Sequence, residues 1–138
     1  MGNKTVFDTN VWVSYFMKGD FPGLVLLVKS HGVEFVRCAE LTKELIDVLN
    51  RKKIRKHLEL PVDEYIQFYE KLCKQVNTRR EFTGCRDPKD NYLFDLAIQA
   101  KADYLVSGDR DVRETPVSKP LSVVSLTEFK RILREKSN

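Results

Sequence analysis

Short β-rich runs alternate with longer helical stretches along the whole chain, and this alternation most constrains its fold. Lys4 to Phe7 reads as a first strand, Val33 to Arg37 as a second and Arg79 to Thr83 as a third. Tyr104 to Val106 and Leu121 to Val124 read as the last two. Helices are expected from Asn10 to Phe16, from Gly23 to Ser30 behind Pro22, and from Glu40 to Arg51. Three more are expected from Val62 to Val76, from Asp87 to about Lys101, and from Thr127 to Glu135. Asn10 reads as the N-cap of the first helix. Leu41, Leu45, Val48 and Leu49 set an apolar stripe at helical spacing in the third. Strand and helix in alternation predict a parallel α/β sheet covered by helices on both faces. The 138 residues fit one domain, with no repeat or linker that would divide residues 1–138.

Composition narrows the class. Hydrophobic residues make up 42% and charged residues 32%, the balance of a chain that buries a core rather than a disordered one. Lys and Arg exceed Asp and Glu by 24 to 20, a surplus that permits a polyanionic partner without demanding one. Three cysteines with no CxxC pair, and only two histidines, argue against zinc. Reduced thiols and a cytoplasmic protein are the natural expectation. No signal peptide is expected, because MGNK leads at once into a strand-like run. The apolar stretch Leu24 to Val28 is far too short to cross a bilayer, so no membrane association is expected.

The first strand runs straight into an acid, in "VFDTN", residues 6 to 10. Open α/β sheets bind ligands beyond the carboxyl ends of their strands, where Asp8 falls. Asp109 follows the strand-end run "YLVSG". Glu44 lies in the second turn after the second strand, and Asp90 at a helix start before the fourth. A parallel sheet lets all four converge on one rim. Like charges so gathered raise one another's pKa, and a hard divalent cation relieves the conflict. With no His or Cys in these motifs, oxygen ligands and Mg²⁺ or Mn²⁺, one or two ions, are favoured. Such an ion supports hydrolysis of a phosphodiester. Thr9, Asn10 and Ser107 are the polar groups placed to hold ligands or waters around it.

Each acid also has a plainer reading. Asp8 suits a helix cap, and Glu44 shares a face with Glu40 and Asp47 as a solvated helix acid. Asp87 with Asp90 forms a capping box around Pro88. Asp109 and Asp111 suit a turn. The weight rests on the ordered set.

That set, "VFDTN", then "LTKELIDVLNR", then "DPKDNYLFDLAIQAKADYLVSGDRDV", resembles the PIN-domain family from about residue 4 to residue 130. It looks most like the branch of toxin components of toxin–antitoxin pairs, related to VapC-type ribonucleases. The resemblance implies a three-layer α/β/α sandwich and metal-dependent endoribonuclease activity. Matched position by position, its acids fall on Asp8, Glu44, Asp90 and Asp109, with Asp8, Asp90 and Asp109 as metal ligands. Its small polar residue falls on Ser107 and its second polar position on Asn10. Asp87 and Asp111 are further candidates, for which capping is the preferred reading.

An acidic pocket that acts on RNA needs flanking cations to grip phosphates. The run RKKIRKH, 51 to 57, supplies Arg51, Lys52, Lys53 and Arg55, while Lys89 and Arg110 adjoin the proposed ligands. A solvated helix end explains the run equally well. Trp12 and Tyr15 read as core or dimer-interface residues rather than base-stacking platforms. The resemblance further implies RNA as partner, a homodimer, and a small antitoxin protein. Two rivals stand beside this reading. One is a PIN-fold RNA-binding module without catalysis. The other is a haloacid-dehalogenase-like phosphatase, which would need an acid where Asn10 stands. A dinucleotide-binding fold is excluded, since no GxGxxG follows the first strand.

Overall fold

The computed structural model describes residues 3–137. Its strands are β1 (Lys4–Phe7), β2 (Glu34–Arg37), β3 (Cys73–Gln75), β4 (Tyr104–Val106) and β5 (Ser122–Val124). They form one sheet in the order β3-β2-β1-β4-β5, and every pairing is parallel. Among the described residues eight helices connect and flank them: α1 (Thr9–Met17), α2 (Phe21–His31), α3 (Ala39–Leu49), α4 (Lys52–Arg55), α5 (Val62–Leu72), α6 (Asn91–Gln99), α7 (Arg110–Arg113) and α8 (Leu126–Lys136). A single 3-10 turn, Pro88–Asp90, precedes α6. The result is the expected three-layer α/β/α sandwich.

The strand order fixes where a site can lie. From β1 the chain builds outward through β2 to β3, then returns to the other side of β1 with β4 and β5. The crevice between β1 and β4 is therefore the topological switch point, where open α/β sheets bind ligands. Phe7 pairs with Val106 there, and the Asp8 amide extends the ladder by donating to Val106 O at 2.9 Å. Both chains leave the sheet side by side.

Burial explains why these strands form. Val6, Phe7, Leu105 and Val106 have no exposed surface, as expected of central parallel strands covered on both faces. Phe7 packs against Trp12 and Tyr15 of α1, Phe35 of β2 and Phe129 of α8, with ring centroids 4.6–6.0 Å apart. Trp12 in turn meets Tyr69 edge-on at 5.2 Å. Trp12 and Tyr15 are thus core residues. Cys38, Cys73 and Cys85 are free and buried. No single helix among the described residues is long and apolar enough to cross a membrane, and the apolar pair α1 and α2 is bent by 119°.

Three expectations are corrected. The third strand is Cys73–Gln75, not Arg79 to Thr83. It grows directly from the end of α5, which stops at Leu72 rather than Val76. Residues 73–75 pair with β2, Cys73 opposite Phe35 and Gln75 opposite Arg37. The helical spacing that reaches Val76 is broken by this competing edge, which offers the backbone parallel pairing. Residues 79–83 are irregular, because side chains of α6 satisfy their backbone instead. The third correction concerns α1: it begins at Thr9, with Asp8 rather than Asn10 in the cap position, and Asn10 is exposed within the first turn.

Candidate active site

Asp8 occupies the cap position of α1 but its carboxylate makes no capping bond. Oδ2 accepts instead from the Ser107 hydroxyl at 2.7 Å, across the switch point from β1 to the end of β4. Ser107 Oγ itself accepts from the Asp109 backbone amide at 3.0 Å. One fully buried hydroxyl therefore locks the strand-end acid of β1 to the loop that carries the strand-end acid of β4. Burial pushes the Asp8 carboxyl above its ordinary value, and Glu44 and Asp109 push the same way. The Ser107 hydroxyl and the Thr9 backbone oppose the rise.

Asp90 ends the 3-10 turn before α6 and is 8% exposed. Its carboxyl is pushed up to about 6, first by burial and then by the charges of Asp8, Asp109, Asp87 and Glu44. Oδ2 is buried with no hydrogen-bond partner among the described residues. A capping role for Asp90 is thereby corrected: its side chain does not close a box with Asp87. A buried carboxylate oxygen left without a donor is costly unless a cation or water meets it.

Glu44 is half-buried on α3, and Oε2 accepts from the Tyr92 hydroxyl at 2.6 Å. Thr9, 1% exposed, places its Oγ1 3.4 Å from the same phenol oxygen. Asp109 is exposed. Its Oδ1 caps α7 by accepting from the Asp111 amide at 2.8 Å, so the plainer turn reading holds for one of its oxygens. Asp87 is a cap, accepting from the Lys89 amide at 3.3 Å. Asp111 pairs with Arg86 at 3.3 Å.

The four acids named from the sequence are thus brought to one rim, close enough that Glu44 and Asp109 act on the carboxyls of both Asp8 and Asp90. Among the described residues, no three Asp, Glu, His or Cys side chains stand in position to hold an ion as they are placed. The chemistry of the donor set nevertheless fits a hard divalent cation: the oxygens are all carboxylate, and one of them is a buried orphan.

The basic residues divide. Arg51 pairs with Asp47 at 3.6 Å, Lys89 with Asp87 at 3.7 Å and Arg110 with Glu114 at 2.8 Å. Lys52, Lys53 and Arg55 lie exposed on α4, with no ion pair among the described residues. A groove of about 600 Å³ follows α3 from Tyr92 and Glu44 past Lys43 and Asp47 to Asn50, just short of α4.

Sequence reasoning missed four groups here. Tyr92 gave no signal, since an aromatic in an apolar helix reads as core. Arg86 gave none either. Asp95 did give one, a charge inside the apolar run "LFDLA". It is 5% exposed, and its Oδ1 accepts from the amides of Glu81 and Phe82 at 3.1 and 2.8 Å and from Gln99 Nε2 at 3.4 Å. Asn91 does similar work, accepting from the Cys85 amide at 3.0 Å.

Comparison with known proteins agrees with this architecture. No individual curated protein matches the chain. The PIN-domain family matches it over residues 4–111, from the first strand through all four acids to the start of α7. A central parallel sheet with acids gathered beyond β1 and β4, and a family match across four-fifths of the chain, give one conclusion: this protein belongs to the PIN-domain family, whose members are typically nucleases.

Proposed function

We propose that the protein is a divalent-metal-dependent endoribonuclease that hydrolyses RNA phosphodiester bonds. The observation that carries the reading is the buried, unpartnered Oδ2 of Asp90 beside Asp8, with both carboxyls raised by burial and by their acidic neighbours. Asp8, Asp90 and Asp109 are the residues that would hold Mg²⁺ or Mn²⁺, and Glu44 completes the acidic pocket. When bound, the ion supplies an activated water and offsets charge on the phosphodiester.

The chain's own groups prepare the place. Ser107 fixes one oxygen of Asp8, so the other is aimed by a bond on the opposite side of the carboxylate. The cap to Asp111 fixes one oxygen of Asp109 in the same way. Tyr92 fixes one oxygen of Glu44. The groove along α3 leads from these acids toward Lys52, Lys53 and Arg55, which would hold phosphates of a single strand. Asn10 lies exposed on the first turn of α1, two residues after Asp8, and would offer a polar contact to bound water or substrate.

The toxin role within a toxin–antitoxin pair, the homodimer and the antitoxin belong to this reading through the branch resemblance. Expression in a host that lacks the partner tests the toxin role: growth arrest in the wild type, and none in Asp8→Asn, supports it.

The direct test is cleavage of single-stranded RNA by purified protein with Mn²⁺. Asp8→Asn abolishes cleavage and keeps the circular dichroism spectrum of the wild type. Wild-type rates from Asp8→Asn defeat the proposal. A second reading, a PIN-fold module that binds RNA without cutting it, draws on the finding that no three acids among the described residues stand ready to hold an ion. Mn²⁺ separates the two: an enzyme gains thermal stability by binding the ion in its folded state, and the module does not.

A further inference from the structure

We infer that Tyr92 is a positioning residue of the acid cluster: its hydroxyl, 2.6 Å from Glu44 Oε2, sets the direction in which Glu44 presents its other oxygen. The inference rests on the nuclease reading for its consequence and on the hydrogen bonds around Tyr92 for its content.

Glu44 needs such a partner more than the other acids do. Asp8 and Asp109 have short side chains, each tied within its own strand-end loop system by Ser107 or by the start of α7. Glu44 comes from the middle of α3 on a longer chain with three rotatable bonds and borders an open groove. Untethered, it gains rotamer entropy by swinging into that groove. The single tether that a described residue gives it is the Tyr92 phenol. The bond is short, as a charge-assisted O–H···O⁻ bond is.

The phenol has one hydrogen, and its geometry assigns where that hydrogen goes. Glu44 lacks an ordinary donor and can only accept, so Tyr92 donates to it. Thr9 Oγ1, 3.4 Å from the same oxygen, then serves as donor to Tyr92. A chain of hydroxyls runs from Thr9 through Tyr92 to Glu44. Thr9 is the residue next to Asp8, so the chain couples the β1 end to α3. Ser107 plays the matching part on the other side, from the Asp109 amide to Asp8.

The position of Tyr92 suits this task. It is the second residue of α6, two after Asp90, so one helix start carries an acid and the group that orients another. Its rigid ring spans the contact between α6 and α3, a reach that a serine lacks. The ring also forms the ridge between the groove along α3 and a smaller one of about 320 Å³ that includes Arg80 and Lys89. That placement raises the alternative that Tyr92 touches RNA directly, which the test must separate.

Tyr92→Phe keeps the ring and removes the one hydrogen. Mn²⁺ affinity by calorimetry is expected to fall roughly tenfold, the usual cost of losing a group that orients a ligand. The kcat for RNA falls alongside it while KM is unchanged. In a Glu44→Ala background the same substitution costs nothing further, because the residue through which Tyr92 acts is gone. Unchanged Mn²⁺ affinity and kcat in Tyr92→Phe overturn the inference. So does a loss that persists in full in the Glu44→Ala background, or one that falls on KM alone and marks the ring as an RNA contact. A wild type that neither binds Mn²⁺ nor cleaves RNA defeats the nuclease reading and takes this inference with it. A working wild type with an indifferent Tyr92→Phe defeats this inference only.

Discussion

Asp90 and Asp95 stand at the two ends of one stretch of chain, both nearly inaccessible to solvent, and they are treated oppositely. Asp95 is satisfied: two backbone amides and the Gln99 amide converge on a single oxygen. Asp90 has an oxygen buried with no donor, and acids for neighbours. A fold that only needed an acid at position 90 for capping would have paired it, as it pairs Asp87 with the Lys89 amide. The contrast teaches that burial alone does not mark a functional acid. Burial without a donor does, since an unmet carboxylate oxygen is tolerated where something else is meant to meet it.

The contrast breaks most sharply under exchange of readouts. Asp90→Asn is expected to lower RNA cleavage by roughly 10³-fold, the scale of several kcal/mol of charge stabilisation supplied by a divalent ion. Its thermal midpoint at pH 8 without metal stays level or rises, because a repelled charge has been removed. Asp95→Ala reverses the pattern. It strands the Glu81 and Phe82 amides and costs about 2–3 kcal/mol of stability by chemical denaturation. Mn²⁺ affinity of the folded protein changes little. If Asp95→Ala is as stable as the wild type, or Asp90→Asn cleaves normally, the division of labour along α6 is wrong.

Proton linkage gives the next largest effect. The Asp90 carboxyl is raised to about 6, above the ordinary Asp value, so the folded protein binds its proton more tightly than the unfolded chain does. The unfolded state therefore releases that proton at lower pH. Stability of the metal-free protein should fall as pH rises from about 4 through about 6, and level off above. The contribution is on the order of 2 kcal/mol. Asp8 is raised too and adds in the same direction. Urea midpoints from pH 4.5 to 8 measure the slope, and Asp90→Asn should flatten it. Saturating Mn²⁺ should oppose it, because the ion competes with the proton. A slope of the opposite sign, with stability gained between pH 5 and 7 in the metal-free wild type and lost in Asp90→Asn, would mean that Asp90 is paired rather than repelled.

These effects also separate what the sequence could reveal from what it could not. Asp8, Ser107 and Asp109 were legible because each lies within three residues of the end of a short apolar strand, and the strands β1, β2 and β4 were legible because their apolar runs are largely buried, while β5, only half-buried, was legible from its valine pair. β3 was not. Cys73-Lys74-Gln75 buries one residue of three at the sheet edge, so no alternation announces it. Residues 79–83 looked like a strand because their β-forming residues were counted without the α6 side chains that claim their amides. Asp95 lies 13 and 14 residues from those amides, and Tyr92 lies 48 from Glu44. Such partnerships exist only after the chain folds. The family resemblance placed the acids, yet it said nothing of which oxygens would be occupied, and that occupancy is what distinguishes Asp90 from Asp95.

The smallest expected effect lies farthest from the acids, on α4. Arg51, Lys89 and Arg110 each have a carboxylate partner within 4 Å, so part of their charge is already used. Lys52, Lys53 and Arg55 have none among the described residues and sit at the end of the α3 groove. If they hold phosphates, replacing all three by Ala removes three counterion-releasing contacts. The slope of log affinity for single-stranded RNA against log salt should then fall by roughly 2, at about 0.7 per phosphate. KM rises at moderate salt, kcat is unchanged and the Mn²⁺ affinity of the acid cluster is untouched. Exposed cations of a short helix contribute little to folding, so the thermal midpoint should hold. A triple variant with the wild-type salt slope would assign α4 to solvent and leave the paired cations beside the acids, Lys89 and Arg110, to grip the strand by exchanging their carboxylate partners for phosphate.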